Sequence, residues 1–196
     1  SEMCIRDRTD TVFAHASDTK TPQGILCVVE QMNHEINELT SAKCPLIMVL
    51  DHLQDPGNLG TMIRTGEGAG ITGVIMNNQT VDIFNPKTIR ATMGSIFRVP
   101  FVYVPDLAPV LEQMHAKGIY TYAAHLKGQE YYDSFSFREP TAFLIGNEGN
   151  GLSKEISDQA GQYLKIPMEG RVESLNASIA AALLMYEAHR QRSARL

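Results

Sequence analysis

Three runs without a polar side chain limit what this chain can fold into. Leu46–Leu50, Gly73–Met76 and Ala142–Ile145 are apolar or glycine at every position. A strand of that kind is buried on both faces, as in a sheet covered by helices on either side. Val99–Val104, Ile119–Ala124 and Tyr163–Ile166 read as further strands. Between the strands the apolar spacing changes to that of helices. Asn58–Ala69 places Leu59, Met62, Ile63 and Gly66 on one face and stops at Gly70. Asn85-Pro86 opens a helix through Ile89 and Met93, with Asn as cap and Pro in the first turn. Leu107–Ala116 and Leu152–Ala160 follow, and Asn176–Arg192 closes the series with Ile179, Leu183, Leu184 and Tyr186 as its apolar face. Strand and helix alternate throughout. The pattern predicts an α/β fold with a mainly parallel sheet flanked by helices, and a ligand beyond the carboxyl ends of the strands.

Residues 1–44 are different. They hold one apolar run, Ile25–Val29, after the turn-like Thr21-Pro22-Gln23-Gly24, and a polar stretch from Glu30 to Lys43. That is too little for a core. The expected division is a truncated remnant of an upstream domain plus linker over 1–44, and a catalytic domain over 45–196. The 196 residues, 43% of them hydrophobic, suffice for one ordinary domain. No apolar run approaches the roughly 20 residues of a membrane span, and the polar opening Ser1–Asp10 does not read as a secretory signal. Cys4, Cys27 and Cys44 give neither a disulfide framework nor a zinc pattern, and the six histidines form no ligand cluster. The expectation is a cytoplasmic protein without membrane or metal. A net charge of -5 means that any nucleic-acid contact must come from a local patch, with Arg90, Arg98, Arg171, Arg190 and Arg192 as candidates.

Three segments carry chemistry. Asp51–Thr65 leaves a strand, turns on Pro56-Gly57 and enters a helix through Asn58 and Gly60 towards Arg64. Its free N–H groups suit an anion. Asn58 and Arg64 stand about 240° apart around the helix axis. Ile145–Ser153 places Gly146, Gly149 and Gly151 between a strand and a helix, so backbone can approach a ligand closely. The spacing is not that of a dinucleotide fingerprint, and no P-loop lysine follows. Glu148 would repel a phosphate and suits a cationic or hydroxyl-bearing ligand. Ile166–Ser178 follows a strand with Pro167 and clusters Ser174, Asn176 and Ser178 at the start of an Ala-rich helix. Each segment alone also reads as an ordinary turn, loop or cap.

Together the three resemble the motifs of the SpoU/TrmH family of RNA ribose 2′-O-methyltransferases, in the SPOUT superfamily. The first motif corresponds to Asn58, Gly60, Arg64 and Thr65; the second to Ile145, Gly146, Glu148 and Gly149. The third corresponds to Ile166, Pro167, Met168, Ser174, Leu175, Asn176 and Ser178. The resemblance covers about residues 45–193, and Ser17–Gly24 looks like the end of the family's upstream substrate-recognition domain. It implies a Rossmann-like sheet with a deep C-terminal trefoil knot, a homodimer, S-adenosylmethionine as cofactor, and tRNA or rRNA as substrate. It implies cofactor contacts from Leu144, Gly146, Glu148, Gly149, Ile166, Pro167, Met168, Leu175 and Asn176. Catalysis would rest on Arg64, with Asn58, Glu148, Ser174 and Asn176 orienting the ribose or relaying its proton. A guanidinium suits a phosphate or a developing alkoxide and is a poor base at neutral pH. His52 reads as structural or solvated. Two other classes stand beside this reading. An NAD-dependent oxidoreductase lacks its fingerprint and the acid after the second strand, where Met76-Asn77-Asn78 stands. A non-catalytic RNA-binding or assembly protein on the same fold is separated by cofactor binding.

Overall fold

The computed structural model describes residues 6–17, 19–125 and 127–193. Cys4 and the first five residues of the expected remnant Ser1–Arg8 lie outside that range, as does Asp18. The chain divides into two compact units, Ser1–Met32 and Asn33–Leu196. In the first unit, helix α1 (Asp10–Ala16) buries no residue, and Ile25, Val28 and Val29 are exposed. No core forms there among the described residues, as one apolar run alone would dictate.

The second unit starts earlier than the apolar pattern does, with a short helix α2 (Ile36–Thr40) inside the polar stretch. Leu39 anchors it: a Cβ built on Gly73 would stand 2.4 Å from Leu39 Cγ, so the strand needs glycine where the helix docks. Lys117 Nζ secures its polar side through Asn37 Oδ1 (2.8 Å) and Thr40 Oγ1 (2.7 Å).

Seven strands follow among the described residues: β1 (Leu46–Leu50), β2 (Gly73–Asn77), β3 (Phe101–Val104), β4 (Tyr120–Ala124), β5 (Glu130–Tyr131), β6 (Thr141–Ile145) and β7 (Gln162–Lys165). They form one sheet in the order β3-β2-β1-β6-β4-β7-β5, and every pairing is parallel. All five residues of β1 are buried, and alternate ones serve opposite faces. Met48 and Leu50 join the core beneath α3 (Pro56–Ala69) and α7 (Ala177–Arg192), with Ile63, Leu184 and Met185. Ile47 and Val49 join the other core, with Leu111 and Met114 of α5 (Ala108–Ala116) and Ile156 of α6 (Lys154–Asp158). Helix α4 (Pro86–Thr92) packs along α3, where Gly60 leaves room for Ala91 and the Thr88 carbonyl.

The caps follow the sequence. Asp55 Oδ1 accepts from Asn58 N (2.8 Å) at the start of α3, and Gly70 ends that helix at φ 79°. The buried stripe of α7 differs from the expected one. It runs through Ala181, Leu184, Met185 and Ala188, while Ile179 and Tyr186 are each 49% exposed. Small residues on both helices explain the change. Alanines let α7 approach α3, where a Cβ on Gly68 would stand 3.0 Å from the Tyr186 hydroxyl. The bulkier side chains therefore fall beside the contact.

Candidate functional site

Beyond the carboxyl ends of β4, β6 and β7 lies a cavity of about 310 Å³, within the range of small-molecule sites. The glycine-rich loop after β6 forms one wall from Ile145 to Leu152. The segment after β7 supplies Ile166, Met168, Ser174 and Leu175, and the first turns of α7 supply Ala177 and Ala180. Ala124 and His125 close it from the end of β4. A larger open depression of about 930 Å³, lined by Ser134, Arg138, His189 and Arg190 among others, lies near the far end of α7 and contains no motif residue.

The three motifs meet at Glu148. Its Oε1 accepts from Asp55 N (2.9 Å) and from Asn58 Nδ2 (3.0 Å), and its Oε2 accepts from Gln54 N (3.1 Å). Asn58 Oδ1 accepts in turn from Asn176 Nδ2 (2.9 Å). Asn176 Oδ1 caps α7, accepting from Ser178 N (2.9 Å) and Ser178 Oγ (2.7 Å). A single chain of hydrogen bonds thus joins the turn after β1, the glycine loop and the start of α7. Desolvation pushes the Glu148 carboxyl up, but the donors from Asn58, Asp55 and Gln54 outweigh it and hold the group below its ordinary value. Two donors on Oε1 and one on Oε2 hold the carboxylate in place.

The glycine loop needs its first glycine for a packing reason. A Cβ on Gly146 would stand 2.1 Å from Gly151 C and Leu152 N, so the loop closes directly on its own backbone. Asn147 and Gly151 exchange backbone hydrogen bonds of 2.9 Å in both directions.

Residues 45–186 match the SpoU rRNA Methylase family. The chain belongs to that family. It is 34% identical over 178 residues to the Bacillus subtilis 23S rRNA (guanosine(2553)-2′-O)-methyltransferase RlmP, covering 91% of this chain and 69% of the relative. An uncharacterised tRNA/rRNA methyltransferase of Synechocystis is 33% identical, over 92% of this chain and 65% of its own length. The chain therefore spans about two thirds of such relatives. Among solved structures, the AdoMet-bound rRNA methyltransferase of Sinorhizobium meliloti superposes with a TM-score of 0.86 at 34% identity, covering 93% of this chain and 70% of that one. The SpoU methyltransferase AviRb of Streptomyces viridochromogenes, in complex with AdoMet, gives 0.79 at 32%, covering 85% and 65%.

Within this SpoU fold the expected site residues separate into groups. Gly146, Glu148, Gly149, Ile166, Met168, Ser174 and Leu175 line the cavity. Asn58 and Asn176 stand behind it, bonded to each other. Leu144 is fully buried in the core beneath β6, on the face away from α3, and the lining position falls to Ile145. Pro167 lies outside the lining, although its neighbours Ile166 and Met168 belong to it. Arg64 is exposed on α3 and makes no hydrogen bond or ion pair among the described residues, nor does it line the cavity of its own chain. His125 and Lys165 were missed. Both stand at strand ends, where the parallel-sheet rule places ligands, and His125 stacks on Tyr163 with ring centroids 4.9 Å apart. Three of the candidate patch arginines are engaged within the chain. Arg98 pairs with Glu67, Arg190 pairs with Glu187, and Arg192 donates to carbonyl oxygens of Phe137, Cys44, Pro45 and Glu139. Arg90 and Arg171 are exposed. No group of three or more His, Cys, Asp or Glu among the described residues could hold a metal ion.

Proposed function

We propose that the chain transfers a methyl group from S-adenosylmethionine to a ribose 2′-hydroxyl of tRNA or rRNA. The observation that carries this reading is the strand-end cavity, walled by the second and third motifs and braced to the first through Glu148, Asn58 and Asn176. The cavity fits the cofactor in size and character. Ile145, Leu152, Leu164 and Leu175 offer an apolar bed for a base, beside main-chain groups of the glycine loop and the Ser174 hydroxyl. When bound, S-adenosylmethionine supplies an electrophilic methyl group on a sulfonium.

The side chains divide the remaining work. The loop backbone orients the ligand and excludes water. Glu148 serves as the clamp, since all its donors are backbone or amide groups. Both Asn58 and Asn176 are committed to the same chain of bonds. Ser174 lines the cavity with no hydrogen bond of its own among the described residues, so its hydroxyl is the group available to orient the ribose. Arg64 holds an RNA phosphate and stabilises the developing alkoxide. It is exposed and does not line its own chain's cavity, which favours a two-fold dimer in which the first motif of one subunit completes the other's site. The exposed Ile179 and Tyr186 of α7 offer the apolar surface for that contact. On the same reading, β6 to α7 threads as a trefoil knot, an arrangement served by the close packing of Gly146 on Gly151.

The unpaired Cys27 and Cys44 accord with a cytoplasmic setting, and no described helix is long and apolar enough to cross a membrane. Calorimetric titration tests the cofactor: S-adenosylmethionine binds and NAD does not. Mass mapping of ribose methylation in RNA from cells with and without the gene tests the reaction. Loss of one 2′-O-methyl nucleotide is expected. Cofactor binding with an unchanged methylation map would instead support an assembly role.

A further inference from the structure

Asp51 is the one buried charged side chain among the described residues, at 1% exposure. It stands directly after β1, and the mechanism above makes no use of it. A buried carboxylate is costly unless every lone pair finds a donor. Here three donors converge. Oδ2 accepts from Ser153 N (2.7 Å), at the far end of the glycine loop. Oδ1 meets Asn77 Nδ2 (2.8 Å) and His52 Nδ1 (2.5 Å).

His52 carries the connection to the near end of the same loop. Its backbone turns left-handed at φ 58°, a conformation uncommon outside glycine. That turn lets His52 N donate to Asn77 Oδ1 (3.0 Å) while His52 O accepts from Asn147 Nδ2 (2.9 Å). Asn147 Oδ1 then accepts from Gly149 N and Asn150 N. Both flanks of the 146–153 loop are thereby tied to one carboxylate, Ser153 directly and Asn147 through His52. Glu148 holds the middle of the loop to the other end of the same turn.

We propose that Asp51 is a positioning residue for the cofactor: its buried carboxylate, bonded to Ser153 and through His52 to Asn147, holds the glycine loop in its ligand-binding shape. This rests on the cofactor reading given above. An apolar side chain would serve the core at lower cost, whereas only an acceptor can fix a loop through its backbone N–H.

The test is a double-mutant cycle on the full chain. Asp51→Asn removes the charge and one acceptor, and Ser153→Pro removes the donor at a residue whose φ of -57° already suits proline. S-adenosylmethionine is titrated calorimetrically, and methylation is measured on bulk RNA from cells lacking the gene. Asp51→Asn is expected to raise Kd and KM for the cofactor roughly tenfold or more, the scale of one hydrogen bond to a charged group, with kcat at saturation within a few-fold of wild type. Ser153→Pro should act in the same direction, and the double variant should be no weaker than the worse single. Unchanged affinity in a folded Asp51→Asn, losses that simply add, or a fall in kcat with KM unchanged would each overturn the inference. If Asp51→Asn does not fold, Ser153→Pro alone decides, and wild-type affinity there overturns it. A wild-type chain that binds no S-adenosylmethionine defeats the functional reading instead.

Discussion

At the scale of single residues, Gly146, Glu148 and Arg64 separate packing from electrostatics and from chemistry. Gly146→Ala forces a Cβ into backbone 2.1 Å away. Cofactor affinity should be lost, and stability should fall by about 1–3 kcal/mol, the scale of overpacking; calorimetry and denaturant titration check both. Glu148 acts through charge. Its folded pKa lies below the ordinary 4.5, so its contribution is complete above that value and disappears as pH falls through the lower folded one. Glu148→Gln should therefore be less stable than wild type at neutral pH, with the gap closing as pH falls below the ordinary 4.5 and through the lower folded value. Denaturant midpoints across that range provide the measurement. Arg64→Ala should leave cofactor binding intact while methyl transfer falls by roughly 10²-fold, the loss of one charge-stabilising donor. Arg64→Lys should recover little, because a point charge does not reproduce the planar fork. A wild-type turnover rate for Arg64→Ala would pass the chemical role to Ser174. The three motifs were legible through their joint resemblance to the SpoU/TrmH pattern, since each alone also reads as an ordinary turn, loop or cap. Asp51 was not, because its partner is a backbone N–H 102 positions away, and backbone donors leave no mark in a sequence.

Among the elements, the buried strands were the easiest to read. β1, β2 and β6 are apolar on both faces because both faces are covered, so composition alone locates them. α2 was hidden for the opposite reason: one buried leucine anchors it, with Ile36 packed beside the core and polar contacts to Lys117. α7 was found, and Leu184 of its expected face is buried, but Ile179 and Tyr186 of that face are half exposed. Hydrophobic size directed the reading to Ile179 and Tyr186, whereas close helix approach selects Ala181 and Ala188. The displaced side chains carry the prediction for this element. If they form the subunit contact, Ile179→Asp should convert a dimer to a monomer in sedimentation at micromolar concentration, with little effect on the fold because the residue is half exposed. A wild type that sediments as a monomer would remove the basis for a shared site.

For the whole molecule, the strand order fixes when each part can form. β1, β2 and β3 are neighbours in chain and in space, so their pairing needs only nearby sequence. β6 sits between β1 and β4, and Leu46 waits for Thr141 as its partner. Until residues 141–145 arrive, β1 and β4 each expose an unpaired, apolar edge, the kind of surface that draws other chains. Parallel pairings over such separations are slow, since loop closure precedes any compensating contact. Stopped-flow refolding should accordingly show two phases: a fast gain of secondary structure, then a slower acquisition of cofactor binding. Simultaneous recovery of both signals would refute that order. During synthesis the consequence is temporal. The half of the sheet that bears Arg64 can take shape while the chain is still emerging. The half that would hold the methyl donor cannot assemble until the last strands are made, so a stalled or clipped chain has structure without a cofactor site.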